Sequence, residues 1–151
     1  MSAQSTITVF DGAATPVSHT LNPVDNKVLA DGTRYSLWRE ALSTVPVSAQ
    51  IRVEAKQNLL KSGVLKTSFR VSVPVMESIA GQNAAGYTAA PKVAYEDVAE
   101  VNTYAHPRST GLSRQLCQQV LRNLLNNVAV TTPAVSAGVV KEGINDLVMP
   151  T

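Results

Sequence analysis

Two stretches in the middle of the chain alternate apolar and polar residues with the period of a β-strand. In the first, Ile51, Val53 and Ala55 alternate with Gln50, Arg52, Glu54 and Lys56; in the second, Phe69, Val71 and Val73 alternate with Ser68, Arg70 and Ser72. Each strand therefore has one apolar face and one polar, basic face. The intervening Leu59-Leu60-Lys61-Ser62-Gly63 is a hairpin-length connection. It pairs the two strands antiparallel and gathers Arg52, Lys56, Ser68 and Arg70 on a shared surface. Alternation resumes over 98–106, with Glu100, Asn102, Tyr104 and His106 on one side and Ala99, Val101, Thr103 and Ala105 on the other.

Towards the N-terminus, 5–10 and 17–22 read as short extended pieces around the turn signals Asp11-Gly12 and Pro16, closed by Pro23: a β-hairpin spanning 5–23. Residues 33–42 read as a further strand, in which Tyr35, Leu37 and Ala41 alternate with Arg34, Ser36 and Trp38. Residues 76–91 are rich in Gly and Ala and lack a period, which predicts a long exposed loop within the 33–106 sheet region. After Pro107 the period lengthens. Leu116, Cys117, Val120, Leu121, Leu124 and Leu125 recur at helical spacing, opposite Arg114, Gln115, Gln118, Gln119 and Arg122, and predict a helix over 112–127. A second helix is predicted over 134–142, between Pro133 and Gly143. Strands first and helices last make an α+β fold, and 151 residues suit one domain over 1–151.

Composition narrows the possibilities. Aromatic residues are 5% of the chain, so the core is aliphatic and buries less area per residue than an aromatic one; such a monomer gains from a partner surface. The net charge of +2 is far below that of a basic nucleic-acid-binding tail, so any RNA binding comes from local charge placement. One cysteine and two histidines exclude an intramolecular disulfide and a zinc cluster. The N-terminus lacks the basic start and apolar run of a signal peptide, and no stretch reaches membrane-spanning length, which predicts a soluble protein with no membrane partner.

Catalytic constellations are not evident. His19 and His106 have no nucleophile and orienting acid at useful spacing, and isolated histidines of this kind are usually structural. Glu96, Asp97 and Glu100 read as solvated charge at a strand end rather than an acid-base pair. Cys117, on the apolar face of its helix, reads as a small buried hydrophobe. No phosphate cradle or metal spacing occurs, so neither an enzyme nor a cofactor is expected.

The ordered set of VFDGAATPVSHTLNP, the basic strand RVEAKQ, KTSFRVSVP ahead of the long loop, and the helix SRQLCQQVLRNLL resembles the coat proteins of single-stranded RNA (levivirus-like) bacteriophages. The resemblance covers nearly the whole chain. It implies an N-terminal β-hairpin, a five-stranded antiparallel sheet and two C-terminal helices, with two subunits interlocking their helices over the partner's sheet. It further implies dimers that assemble into an icosahedral shell, a virion protein assembled in the bacterial host cytoplasm, and single-stranded viral RNA with hairpins as partner. The loop 76–91, with Gly81 and Gly86, resembles the element that changes conformation between quasi-equivalent subunits.

Carried over position by position, the resemblance places Arg52, Glu54 and Lys56, then Ser68 and Arg70, at RNA-facing positions, with a possible translational-repressor role. Asn102 and Tyr104 join them on the third strand, where the Pro107 offset leaves the register open by one residue. Glu54 departs from the small neutral residue of the family pattern, and a carboxylate repels phosphate unless Arg52 or Arg70 neutralises it. Without the resemblance, the basic faces would read as a solvated sheet surface with cross-strand ion pairs. A dimeric RNA-binding regulator that does not assemble would use the same surface.

Overall fold

The computed structural model describes residues 3–77, 92–126 and 137–149. Among these, six strands form one antiparallel sheet in chain order: β1 (Ile7–Phe10), β2 (Ser18–Val28), β3 (Arg34–Glu40), β4 (Arg52–Leu59), β5 (Leu65–Met76) and β6 (Val93–Ala105). A 3-10 turn (Val47–Ala49) precedes β4. Helix α1 (Gly111–Asn126) follows β6, and α2 (Val139–Lys141) runs directly into a π-helical turn (Glu142–Asp146).

Local chemistry sets the turns. Asp11 closes the first hairpin: its carboxylate accepts the amides of Ala13 (3.2 Å) and Val17 (2.8 Å). Between β2 and β3, Asp31 accepts from the Thr33 amide and hydroxyl, both at 2.9 Å, and Gly32 takes φ +80°. The β4–β5 turn likewise places a glycine, Gly63, at φ +78°, a left-handed position that costs an L-residue about 1–2 kcal/mol.

The N-terminal hairpin is continuous with the sheet rather than beside it. β2 runs through Pro23, pairing first with β1 and then with β3, so the sheet has six strands where the resemblance implied a hairpin and five. The ladder shifts register between Pro23 and Asp25, and a bulge is where a strand tolerates a residue without an N–H.

Pairing of Ala55 with Phe69 and of Val53 with Val71 puts the apolar residues of β4 and β5 on one face. Leu21, Trp38, Ala55 and Phe69 on that face pack against Ile144 and Met149, so the C-terminal segment returns across the sheet to cover the core. Trp38 is 1% exposed and donates its indole N–H to the Ser5 carbonyl at 2.8 Å. This reverses the facing read from 33–42: Trp38 and Ser36 point into the core, and Tyr35 and Leu37 lie on the polar side. The segment 142–146 is fastened by its backbone, with the Gly143 carbonyl accepting from Thr67 Oγ1 (3.2 Å) and Gln57 Nε2 (3.4 Å).

Helix α1 begins with a reciprocal cap, in which Thr110 Oγ1 accepts the Ser113 amide and Ser113 Oγ accepts the Thr110 amide. Its polar side, rather than Leu116, Val120 and Leu124, is bound to its own chain. Arg114 donates to the carbonyls of Asn145 and Ser109, and Gln118 donates to the Asn145 side chain. Leu112, Leu116, Val120, Leu124 and Leu125 are exposed, and so is Cys117, which corrects its reading as a buried hydrophobe. Beneath α1 lies an open groove of about 600 Å³, lined by Phe69, Val101, Ala105, Leu121, Leu125 and Val140.

Of the loop predicted over 76–91, residues 78–91 lie outside the described residues, as do 127–136, which include the first part of the helix predicted over 134–142.

Candidate nucleic-acid interface

Since the core and C-terminal segment occupy one face of the sheet, the alternate residues of each strand are left on the other. The registers Lys56–Ser68 and Glu54–Arg70 (β4–β5), with Ser68–Asn102, Arg70–Glu100 and Lys66–Tyr104 (β5–β6), fix their arrangement. Arg52, Glu54, Lys56, Ser68, Arg70, Asn102 and Tyr104 therefore all share the face opposite the core. The β5–β6 register puts Asn102 and Tyr104, rather than Val101 and Thr103, on this face.

Charge is paired locally across this face. Arg52 reaches diagonally over β5 to Glu96 on β6, with Nη2 to Oε1 at 2.7 Å. That bond, and a second from Ser72, hold the Glu96 carboxyl below its ordinary range. Glu54 is neutralised by neither arginine through a direct contact of this kind: Lys56, two residues along the same strand, approaches its carboxylate to 3.2 Å. Arg70 stands in register between Glu54 and Glu100, with its Nε lacking a hydrogen-bond partner among the described residues. Asn102 donates to Glu100 at 2.8 Å. Tyr104 is 61% exposed, with the Lys66 ammonium 5.9 Å from its ring centre.

The same face holds residues that the sequence reading did not single out. Lys66 falls two before Ser68 and extends its alternation, a signal available from the pattern alone. Lys27 and Tyr35 pair across β2 and β3, and Tyr35 pairs onward with Lys56. Their place was hidden because the facing of β3 was read in reverse. Burial, followed by the nearby charge of Glu54, raises the Tyr35 phenol above its ordinary range and keeps it a hydrogen-bond donor.

The two histidines lie away from this set of residues, and His19 has a close carboxylate that its sequence neighbours do not reveal. His19 lies on the hairpin, its Nδ1 2.8 Å from Glu40 and its Nε2 3.8 Å from Asp11. His106 Nδ1 accepts the Arg108 amide in the turn before α1. No cluster of three or more metal-ligating side chains occurs among the described residues, and no helix among them is long and apolar enough to cross a membrane.

Comparison with known proteins agrees with this architecture. The model of the Levivirus coat protein family matches residues 2–142. Among solved structures, the virus-like particle of bacteriophage EMS014 is 28% identical, with 99% of each chain covered and a TM-score of 0.72. The coat protein of bacteriophage EMS014 is 27% identical over the same shares, with a TM-score of 0.67. The capsid protein of bacteriophage GA, at 20% identity, shares the fold over 95% of this chain and 94% of its own, with a TM-score of 0.58. No curated protein sequence matches the chain.

Proposed function

The chain belongs to the levivirus coat protein family, and from that membership we propose that it pairs as an interlocked dimer, assembles from dimers, and binds viral RNA on its polar sheet face. As a coat protein it is a structural component of the virion that assembles into a shell with copies of itself, and it is not an enzyme.

The observation that carries the RNA-binding reading is the segregation of the two sheet faces. The C-terminal segment covers one face. The other is left with Arg52, Lys56, Ser68, Arg70, Asn102 and Tyr104 in register across three strands. Cationic, hydrogen-bonding and aromatic side chains interleaved on one surface suit phosphate contact together with base contact. Glu54 also lies on this face and, tied to Lys56, restricts which RNA structures fit. Recognition of one RNA hairpin, and translational repression through it, belong to this proposal.

The dimer reading is supported by apolar surface that one chain leaves uncovered. Leu116, Val120 and Leu124 of α1 face away from their own core, and Val71, Val73 and Tyr95 lie exposed on the core side of the sheet. Among the described residues β6 is an edge of the sheet. A second copy laying its α1 over this surface, with the two β6 edges side by side, buries both sets and continues the polar face across the pair.

Binding of a labelled viral RNA hairpin, measured across a salt series, tests the RNA interface. Arg70→Ala and Lys56→Ala should each weaken binding and reduce the steepness of its salt dependence, because each removes a phosphate-facing charge. Unchanged binding in both variants would remove the interface from this face.

A further inference from the structure

A continuous polar row crosses the sheet at right angles to the strands. Lys27 on β2 pairs with Tyr35 on β3, Tyr35 with Lys56 on β4, Lys56 with Ser68 on β5, and Ser68 with Asn102 on β6. At about 4.8 Å between strands the row is roughly 19 Å long. The resemblance assigned its β4–β6 part to RNA and left the β2–β3 end without a role.

That end is built around one aromatic ring. The ammonium groups of Lys27 and Lys56 lie 5.4 Å and 5.5 Å from the Tyr35 ring centre, approaching from the two strands that flank it. Each lysine has a carboxylate on its own strand, two residues away: Asp25 at 2.6 Å from Lys27 and Glu54 at 3.2 Å from Lys56. The ring and the carboxylates together restrain two flexible side chains at the sheet surface, while both ammonium groups keep open faces, the lysine side chains being 52% and 43% exposed. Between them the phenol supplies a third donor.

We infer that Lys27, Tyr35 and Lys56 form a phosphate site that carries an RNA backbone beyond the candidate interface, along the row towards β2. The inference rests on the proposed binding of RNA to this face. The ligand class follows from the donors: two ammonium groups and a hydroxyl suit phosphodiester oxygens and carry no information about the base. The site is therefore indifferent to sequence. It adds affinity equally to a hairpin and to an unstructured strand, and Asp25 competes with phosphate for the Lys27 ammonium.

The full-length protein, titrated with labelled oligouridylate and with a labelled RNA hairpin at several salt concentrations, tests the site. Lys27→Ala should weaken both RNAs by the same factor and lower the slope of log affinity against log salt by about 0.7 to 0.9, the change for one lost phosphate contact. Tyr35→Phe should weaken both with the slope unchanged. Asp25→Asn should tighten both, a gain that misfolding does not produce. If Arg70→Ala lowers the salt slope while Lys27→Ala and Asp25→Asn leave binding unchanged, the Lys27–Tyr35–Lys56 site is wrong and the wider interface stands. If Arg70→Ala, Lys56→Ala and Lys27→Ala all bind as the parent protein does, the RNA-binding reading of this face fails with it.

Discussion

Glu54 stands opposite Arg70 in the β4–β5 register, yet its carboxylate closes on Lys56 of its own strand, 3.2 Å away. The acid therefore holds back a lysine of the candidate interface instead of pairing with the arginine opposite it. Glu54→Gln keeps the side chain's length, frees Lys56 and removes a repulsive charge. RNA affinity should rise several-fold, on the order of 1 kcal/mol, the scale of a partly exposed ion pair. Fluorescence anisotropy at fixed salt measures it, and a loss of affinity would mean that Glu54 accepts a hydrogen bond from the RNA.

The apolar side of α1 should carry the subunit pairing. Full burial of a leucine is worth roughly 1.5–3 kcal/mol. Leu116→Asp and Leu124→Asp should therefore each weaken dimerisation by at least about tenfold, since about 1.4 kcal/mol is a factor of ten. Because both side chains are exposed in the single chain, neither change disturbs the monomer's own core. Sedimentation of the variants at low concentration reads the effect; dimers as tight as those of the parent protein would place the interface elsewhere.

Gly143 is a packing position. A Cβ there would sit 3.0 Å from Phe69 Cζ and 3.5 Å from Thr67 Cγ2, where the C-terminal segment meets the sheet. Gly143→Ala should destabilise the fold by about 1–3 kcal/mol, as overpacking of a close contact does. Thr67→Val keeps the shape and removes the donor to the Gly143 carbonyl, at about 1 kcal/mol. Thermal melts of the two variants measure both effects, and a Tm for Gly143→Ala equal to the parent's would show that the segment shifts freely.

The architecture was legible wherever one period ran undisturbed. The alternation of Ile51–Val53–Ala55 and Phe69–Val71–Val73 placed β4 and β5 correctly, and with them the facing of Arg52, Lys56, Ser68 and Arg70. It failed at β3, where Tyr35 and Leu37 looked like the apolar side. Trp38 is the larger apolar group, and its pairing with Val53 turns it into the core, a tertiary preference that local alternation does not carry. Pro23 was read as a stop, whereas the bulge beside it lets β2 continue to Val28. The apolar face of α1 suggests a buried Cys117, but in the single chain that residue is exposed, because Asn145 binds the polar stripe of the helix through Arg114 and Gln118.

Acid should loosen the turns before it reaches the core. Hydrogen bonds from the Thr33 amide and hydroxyl lower the Asp31 carboxyl, and one from the Val17 amide leads in lowering Asp11. A carboxylate whose folded pKa lies below its unfolded value contributes stability that is complete above the unfolded value, about 4, and is lost as pH falls through the folded one. Stability from these two groups should thus be level from neutral pH down to about pH 5 and decline below about pH 4. Asp31→Asn should flatten part of that decline in denaturant titrations; an unaltered acid limb would show that the turn bonds form equally in the unfolded chain.

Expression of the full chain alone in bacteria, followed by purification and electron cryo-microscopy, tests the central claim most directly. The account predicts closed icosahedral shells built from dimers, with density for packaged RNA against the face that bears Arg52, Lys56 and Arg70. Soluble dimers alone, under every salt and concentration tried, would contradict it.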